Sequence, residues 1–232
     1  MTRRTNARVA GITFLLYIAV AFPAMVLFEK ATSAKGIAAK LAGIGQHAGD
    51  VRVVVALSLL SAFAALVLAV TLYAITRDED ADLALLGLTC RVGEGVLGGV
   101  SILVTMGLLW LGTSSGADAP DLAAANALGA FLLKVNGWST SVGATFFAVG
   151  STLFAWLFLR GRIVPVPLAW LGLVASVLVV VGLPAQLLGL ITDPAANLYL
   201  WLPMLVFEVT LALWLIFKGA RMPARQSHPA TP

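Results

Sequence analysis

VVVALSLLSAFAALVLAVTLYAI, at residues 53–75, contains no charged side chain. The hydrocarbon core of a bilayer is about 30 Å thick, so an α-helix needs about 20 apolar residues to cross it. Five other stretches of the chain share this length and this apolar character. We therefore predict six membrane spans, at Ala10–Phe28, Val53–Ile75, Leu83–Leu111, Trp138–Leu159, Ile163–Ile191 and Leu198–Phe217.

The overall composition indicates the same class of protein. Of the 232 residues, 60% are hydrophobic and only 11% are charged, and the mean hydropathy is +0.97. A soluble domain carries about 25% charged residues. We predict an all-α polytopic membrane protein, with residues 1–219 forming a single six-transmembrane-helix bundle. Residues 220–232, which contain three prolines, should form a disordered cytoplasmic tail.

The net charge of +4 and the pI near 9.6 do not predict nucleic-acid binding, because the basic residues lie at the ends of apolar segments. Lysine and arginine near span ends are orientation signals that are enriched in cytoplasmic loops. With the N-terminus in the cytoplasm, the basic residues of that side are Arg3, Arg4, Arg8, Arg77, Arg160, Arg162, Lys218, Arg221 and Arg225. Those of the outer side are Lys30, Lys35, Lys40, Arg52 and Lys134. This excess predicts that both termini are cytoplasmic.

Two of the predicted outer loops are longer than the rest. The alanine-rich loop Glu29–Arg52 is typical of a short surface helix. In the second loop, Asp118 or Asp121 is placed to cap a helix over Leu122–Leu133, lying on the membrane before the fourth span. We expect both loops to cover the outer mouth of the bundle. The acidic turn that follows Arg77 on the inner side is expected to be solvated.

Three charged residues lie inside the predicted spans, where a charge is costly and marks a functional candidate. Arg91 and Glu94 belong to the third span, and Glu208 belongs to the sixth. At about 1.5 Å of rise per residue, the two glutamates lie roughly 16 Å and 15 Å from the start of their spans, near the midplane. We therefore predict that the third and sixth spans contact each other, with Arg91 between the two carboxylates.

Small and polar residues continue along the third span from this charged pair. Arg91, Glu94, Gly98, Ser101 and Thr105 follow at spacings of three and four, which places them on one helix face. In lipid such a face packs against other helices, because small residues allow close approach and polar residues form interhelical hydrogen bonds. The candidate binding residues are Arg91, Glu94, Glu208, Ser101 and Thr105.

The charged residues have two interpretations at this point. In the structural one, Arg91, Glu94 and Glu208 form a buried ion network that locks two helices together. In the functional one, they form a polar site at the midplane, where carriers and proton relays place theirs. One carboxylate has no basic partner by count, and a proton would neutralise it. A proton-coupled site and a buried, inactive acid both fit that count.

The sequence predicts no cofactor, no metal site and no catalytic residue. His47 lies in an outer loop, His228 lies in the tail, and Cys90 is the only cysteine. No phosphate-binding loop or zinc-protease motif occurs. Ser101 would need Glu94 or Glu208 as a base to act as a nucleophile, but it lies two turns beyond Glu94, which makes an intramembrane enzyme the less favoured alternative.

The chain resembles a bacterial membrane family catalogued as domain of unknown function 4386. The resemblance rests on the opening Ala7-Arg8-Val9-Ala10-Gly11, on Arg91-x-x-Glu94, on Arg160 to Pro165, and on Phe207-Glu208 followed by Trp214 and Lys218-Gly219. It implies a compact six-helix protein in a bacterial membrane. It implies no activity, so no residue role is transferred.

The predicted function is a small-molecule carrier or binder with a charged site at the midplane. The alternatives are a structural or accessory subunit of a membrane complex, and an intramembrane enzyme. The lipid bilayer is the expected partner, together with a small-molecule ligand or a membrane protein partner, and no nucleic acid. The expected location is the inner (plasma) membrane of a cell, as a multi-pass protein.

Overall fold

The computed structural model describes residues 1–116, 119–191 and 196–221. Over these residues the chain is helical and has no strand, which confirms the all-α class. The described helices are α1 (Arg3–Ala31), α2 (Ile37–Gln46), α3 (Ala48–Thr76), α4 (Ala81–Thr113), α5 (Leu122–Arg160), α6 (Val166–Leu187) and α7 (Ala196–Phe217). Most of the predicted tail, residues 222–232, lies outside the described part of the chain.

Among the described helices, six are long and apolar enough to cross a membrane, and α2 is the short exception. The predicted six-span bundle is therefore confirmed, with α1, α3, α4, α5, α6 and α7 as its spans. Several spans begin earlier than predicted because polar residues cap them. Thr2, for example, accepts a hydrogen bond from the backbone N–H of Thr5 at 3.2 Å, so α1 starts near the N-terminus.

The six spans form a closed ring. Each span packs against the spans before and after it in the sequence, and α1 packs against α7 to close the ring. α4 and α7 therefore lie on opposite sides, and among the described residues no Cα atom of α4 lies within 8 Å of one in α7. The predicted direct contact between these two spans is wrong, because opposite members of a six-membered ring are separated by its interior.

α5 differs from the prediction at its start. It is one helix of 39 residues, about 58 Å long, whereas a span needs only about 30 Å. The predicted separate surface helix over Leu122–Leu133 is wrong, because the helix continues without a break through Lys134, Asn136 and Gly137. Asp121 caps α5 by accepting from the backbone N–H of Ala124 at 2.8 Å, and Asp118 lies outside the described residues.

α2 is the short helix predicted in the first long loop, and it covers one end of the ring. We call this the α2 end, and the opposite end, which holds Arg3 and Lys218, the termini end. α2 packs mainly against α4, and smaller contacts reach α5, α1 and α3. A Cβ added to Gly45 would collide with the backbone carbonyl of Gly112 on α4, so only glycine allows this approach.

The acidic turn before α4 contacts two other spans at the termini end. Asp80 caps α4 and also accepts a hydrogen bond from Arg160 Nη1 at 3.0 Å. Arg3 lies 3.6 Å from Asp78 and 3.9 Å from Glu79, measured between charged atoms. The expectation of a solvated turn is correct for the exposed Asp78, but the turn also links α1 to α5.

Two apolar clusters fill much of the ring at different levels. The larger one extends from the termini end and includes Phe14, Leu72 and Phe158. The smaller one lies at the α2 end, where Leu41 and Ile44 of α2 pack against α4. The outward surface is also apolar, with Phe63 59% exposed and Leu103 69% exposed. Such a surface suits contact with the lipid bilayer.

Candidate functional site

A cavity of about 320 Å³ lies inside the ring, between the two apolar clusters. Five spans contribute to its wall, namely α1, α3, α4, α5 and α7. The apolar part of the wall consists of small residues and three aromatic rings. Its polar side chains are Tyr17, Ser58, Ser61, Glu94, Ser101, Ser139, Thr140 and Glu208. The ring therefore surrounds a partly open space with hydrogen-bonding groups at the level where the sequence predicts a polar site.

Glu94 is held by two partners. Arg91 Nη1 lies 2.9 Å from Glu94 Oε2, one turn away on the same face of α4. The geometry is that of an ion pair rather than a hydrogen bond, because the guanidinium N–H groups are not directed at that oxygen. Tyr17 of α1 donates its hydroxyl proton to Glu94 Oε1 at 2.8 Å. Glu94 thus joins α4 to α1 with both of its oxygens engaged.

Arg91 is among the largest fully buried side chains of the described residues, with 1% of its surface exposed. Its guanidinium carbon lies 4.8 Å from the ring centre of Phe147, 5.9 Å from that of Tyr17 and 6.0 Å from that of Phe14. Aromatic faces attract a cation within about 6 Å, and the attraction is larger where water is excluded. Arg91 is therefore stabilised by Glu94 on one side and by aromatic rings on the others.

A glycine on α5 allows this helix to pack closely against Arg91. A Cβ added to Gly150 of α5 would lie 3.2 Å from the carbonyl oxygen of Gly87 and 3.3 Å from Cγ of Arg91. These distances are tighter than ordinary van der Waals contact. The glycine at this position lets α5 approach α4 until Phe147, one turn earlier, covers the guanidinium.

Glu208 has a different environment from Glu94. It lies on α7 in the wall of the cavity and is 6% exposed. Its Oε1 atom is buried and has no hydrogen-bond partner. Among the described residues, no basic side chain forms an ion pair with Glu208 within 4 Å, so Arg91 is ion-paired with Glu94 but not with the second carboxylate.

The other residues predicted on this face of α4 differ in position, because some line the cavity and one bonds only within the helix. Gly98 and Ser101 belong to the cavity wall, and the Ser101 hydroxyl is hydrogen-bonded to that of Ser139 at 2.8 Å. Thr105 is buried, bonds to the backbone carbonyl of Ser101 at 2.9 Å, and is not part of the cavity wall. The predicted stripe faces the interior of the ring, and Glu94, Gly98 and Ser101 border the open space.

Comparison with protein families gives a match over residues 9–219, to the family described as Domain of unknown function (DUF4386). The chain belongs to the DUF4386 family. The predicted resemblance is thus confirmed, and every residue of the cavity wall lies within the matched region of this DUF4386 chain. Comparison with curated proteins and with solved structures found no significant match.

Sequence reasoning missed three partners of the charged residues in this DUF4386 chain. They are Phe14 and Tyr17 on α1 and Phe147 on α5. Tyr17 carried a signal, because tyrosine in spans concentrates at the membrane interfaces and this one lies in the middle of the first span. The two phenylalanines carried none, since a phenylalanine facing an arginine cannot be distinguished in sequence from one facing lipid.

Proposed function

We propose that this protein binds a small molecule in its central cavity and acts as a carrier. The observation that supports the proposal is Glu208, a buried carboxylate with an unpartnered oxygen in the wall of a cavity of about 320 Å³. A buried charge without a partner costs several kcal/mol. A ligand or a proton that entered the cavity would compensate that cost, so the site suits reversible occupancy.

The structural alternative, in which ion pairs only hold helices together, explains part of this arrangement. Arg91 is ion-paired with Glu94, and Glu94 accepts a hydrogen bond from Tyr17, which joins α1 to α4. Glu208 takes no part in those contacts, so a purely structural role leaves it unexplained. The enzyme alternative lacks a base for Ser101, whose hydroxyl is paired with Ser139 rather than with a carboxylate.

The depth of the cavity supports carriage across the membrane rather than binding at the surface. Membrane carriers place their sites near the midplane, between helices that can move relative to one another. Glu208 would be neutralised by a proton when the ligand leaves, which would couple carriage to protons. We propose the inner (plasma) membrane of a cell as the location, with both termini in the cytoplasm and residues 1–219 acting as one domain.

The binding proposal is tested by filling the cavity. Gly98→Leu places a large side chain in the cavity wall, where the nearest atom to an added Cβ is Ala62 Cβ at 4.0 Å. Gly99→Leu is the matched control, because an added Cβ there meets nothing within 4 Å and Gly99 is not part of the wall. Each protein is purified in mild detergent and examined by mass spectrometry for bound small molecules.

We expect a reproducible small molecule in the wild type and in Gly99→Leu, and its loss in Gly98→Leu. Equal retention in all three proteins would place the molecule elsewhere and contradict the proposal. A polypeptide that co-purifies stoichiometrically, without any small molecule, would favour the accessory-subunit alternative instead.

The orientation is tested separately by cysteine labelling in intact cells. In a Cys90→Ala background, Arg77→Cys marks the termini end and Lys35→Cys marks the α2 end, and both positions are exposed. A membrane-impermeant thiol reagent should label the Lys35 variant and spare the Arg77 variant. The reverse pattern would invert the proposed topology.

A further inference from the structure

The fixed charges around the cavity do not balance. Arg91 carries one positive charge, and Glu94 and Glu208 carry two negative charges when both are ionised. The ion pair of 2.9 Å and the hydroxyl of Tyr17 compensate Glu94. One negative charge is left at Glu208. In an interior of low dielectric constant this charge attracts a cation strongly and repels an anion.

The unsatisfied hydrogen-bonding atoms of the wall add a second constraint. Oε1 of Glu208 on α7, Oε2 of Glu94 on α4 and Oγ of Ser61 on α3 are buried without a hydrogen-bond partner. All three residues line the cavity. An ionised carboxylate oxygen only accepts hydrogen bonds, a hydroxyl can accept or donate one, and an ammonium group carries up to three N–H donors. A ligand rich in donors therefore complements these atoms better than one rich in acceptors.

The aromatic part of the wall distinguishes an organic cation from a metal ion. Trp201 and Phe147 lie with their ring centres 6.0 Å apart, and both border the cavity together with Tyr17. Hard metal ions require six or more oxygen ligands, and within the described residues no three His, Cys, Asp or Glu side chains gather as a metal site. Aromatic faces and small apolar residues instead favour an ammonium group attached to an apolar body.

We propose that the cavity selects a monovalent organic ammonium ion, whose charged group pairs with Glu208 and whose apolar part lies against Trp201 and Phe147. This assignment rests on the proposed small-molecule binding function and names its substrate class. Glu208 acts as the counter-ion of the ligand, and the Arg91–Glu94–Tyr17 cluster keeps the neighbouring wall neutral.

Three probes of similar size and different charge test the assignment, namely benzylamine, benzyl alcohol and benzoate. Binding to the detergent-purified protein is measured at neutral pH by calorimetric titration, with Gly98→Leu as the blocked cavity and Gly99→Leu as its control. We expect the wild type to bind benzylamine at least about tenfold more tightly than benzyl alcohol, because loss of one partner of a buried charge pair weakens binding by that much or more. Benzoate should not bind.

Glu208→Gln removes the counter-ion with little change in shape. It should weaken benzylamine binding at least about tenfold and leave benzyl alcohol binding unchanged. Trp201→Leu removes an aromatic face while Glu208 stays in place, and it should weaken benzylamine binding severalfold. If Glu208→Gln does not fold, the proposed selectivity for an ammonium ion is still tested by the affinities of the wild type for the three probes and by the effect of Trp201→Leu.

The outcomes separate this inference from the function on which it rests. If benzylamine and benzyl alcohol bind equally and Gly98→Leu abolishes both, the cavity binds small molecules but does not select cations, and the inference is overturned alone. If benzoate binds best, the charge assignment is wrong in sign. If no probe binds and Gly98→Leu also loses no bound molecule by mass spectrometry, the binding function fails as well.

Discussion

Glu94 and Glu208 are two buried glutamates in one cavity wall, but their surroundings differ. Glu94 contacts Arg91 at 2.9 Å and accepts a hydrogen bond from Tyr17 at 2.8 Å. Glu208, on the opposite side of the ring, has an oxygen without any partner. We propose that the same residue type has two roles here: the ion-paired Glu94 contributes to folding, and Glu208, which has no ion pair among the described residues, is available to a ligand.

The difference follows from the position of each helix in the ring. α4 carries its own counter-ion three residues before Glu94 and is joined by the tyrosine of α1 across the interior. α7 contributes Glu208 without a basic residue nearby on its inner face, and its neighbours α1 and α6 supply none within 4 Å among the described residues. The predictions below test this contrast in order of expected effect.

Arg91→Ala should produce the largest loss of stability, of about 3–5 kcal/mol, because it leaves a buried carboxylate without its cation. Unfolding of the detergent-solubilised protein, followed by circular dichroism, measures the effect. The control is the triple replacement Arg91→Met, Glu94→Leu and Glu208→Leu, which removes all three charges and should be more stable than Arg91→Ala alone. A triple variant less stable than Arg91→Ala would show that the charges act through more than their mutual pairing.

Glu94→Gln and Glu208→Gln form a matched pair that tests the contrast directly. Glu94→Gln should destabilise by about 3 kcal/mol, because the arginine is left unpaired in a buried site. Glu208→Gln, measured without ligand, should stay within about 1 kcal/mol of the wild type or gain stability, because it removes an uncompensated charge. Equal losses in the two variants would mean that Glu208 has a structural partner after all.

Tyr17→Phe should have an intermediate effect of about 1.5 kcal/mol, the contribution of a hydrogen bond to a charged group. The aromatic ring that faces Arg91 remains, so only the hydroxyl is tested. Tyr73→Phe is a control outside this cluster on α3. Thermal unfolding should show a lower midpoint for Tyr17→Phe than for Tyr73→Phe. If Tyr17→Phe has the stability of the wild type, the pairing of Glu94 with Arg91 is sufficient alone.

Ser139→Ala should have the smallest effect, about 0.6 kcal/mol, which is the average for an interhelical hydrogen bond in a membrane. It removes the 2.8 Å contact between the hydroxyls of Ser101 and Ser139. Ser101→Ala should give a similar loss, and the double variant should lose little more than Ser139→Ala, because both changes remove the same interhelical bond; Ser139→Ala also removes the bond from that hydroxyl to the backbone carbonyl of Asn136 within α5. A double-mutant cycle measures this coupling, and additive losses would show that the two hydroxyls act independently.

The sequence allowed the pairing of Arg91 with Glu94 to be predicted, because residues three apart share a helix face whatever the rest of the fold does. It did not allow the lack of an ion pair at Glu208 to be predicted, because depth in the membrane places residues at one level but not on one side of a ring. It also did not show where the helix of the fourth span begins. The polar residues Lys134 and Asn136 suggested a break before this span, but α5 continues through them as one helix.

The amino-acid sequence by itself determined the six spans, the all-α class and the burial of Arg91, Glu94 and Glu208, because the cost of exposing polar groups to lipid depends on local composition. Tertiary structure decided which helices are neighbours. The closing of α1 onto α7 separates α4 from α7, and the close approach of α5 brings Phe147 over Arg91. These features depend on side-chain packing between distant segments, which no local pattern encodes, and they leave Glu208 facing an open cavity.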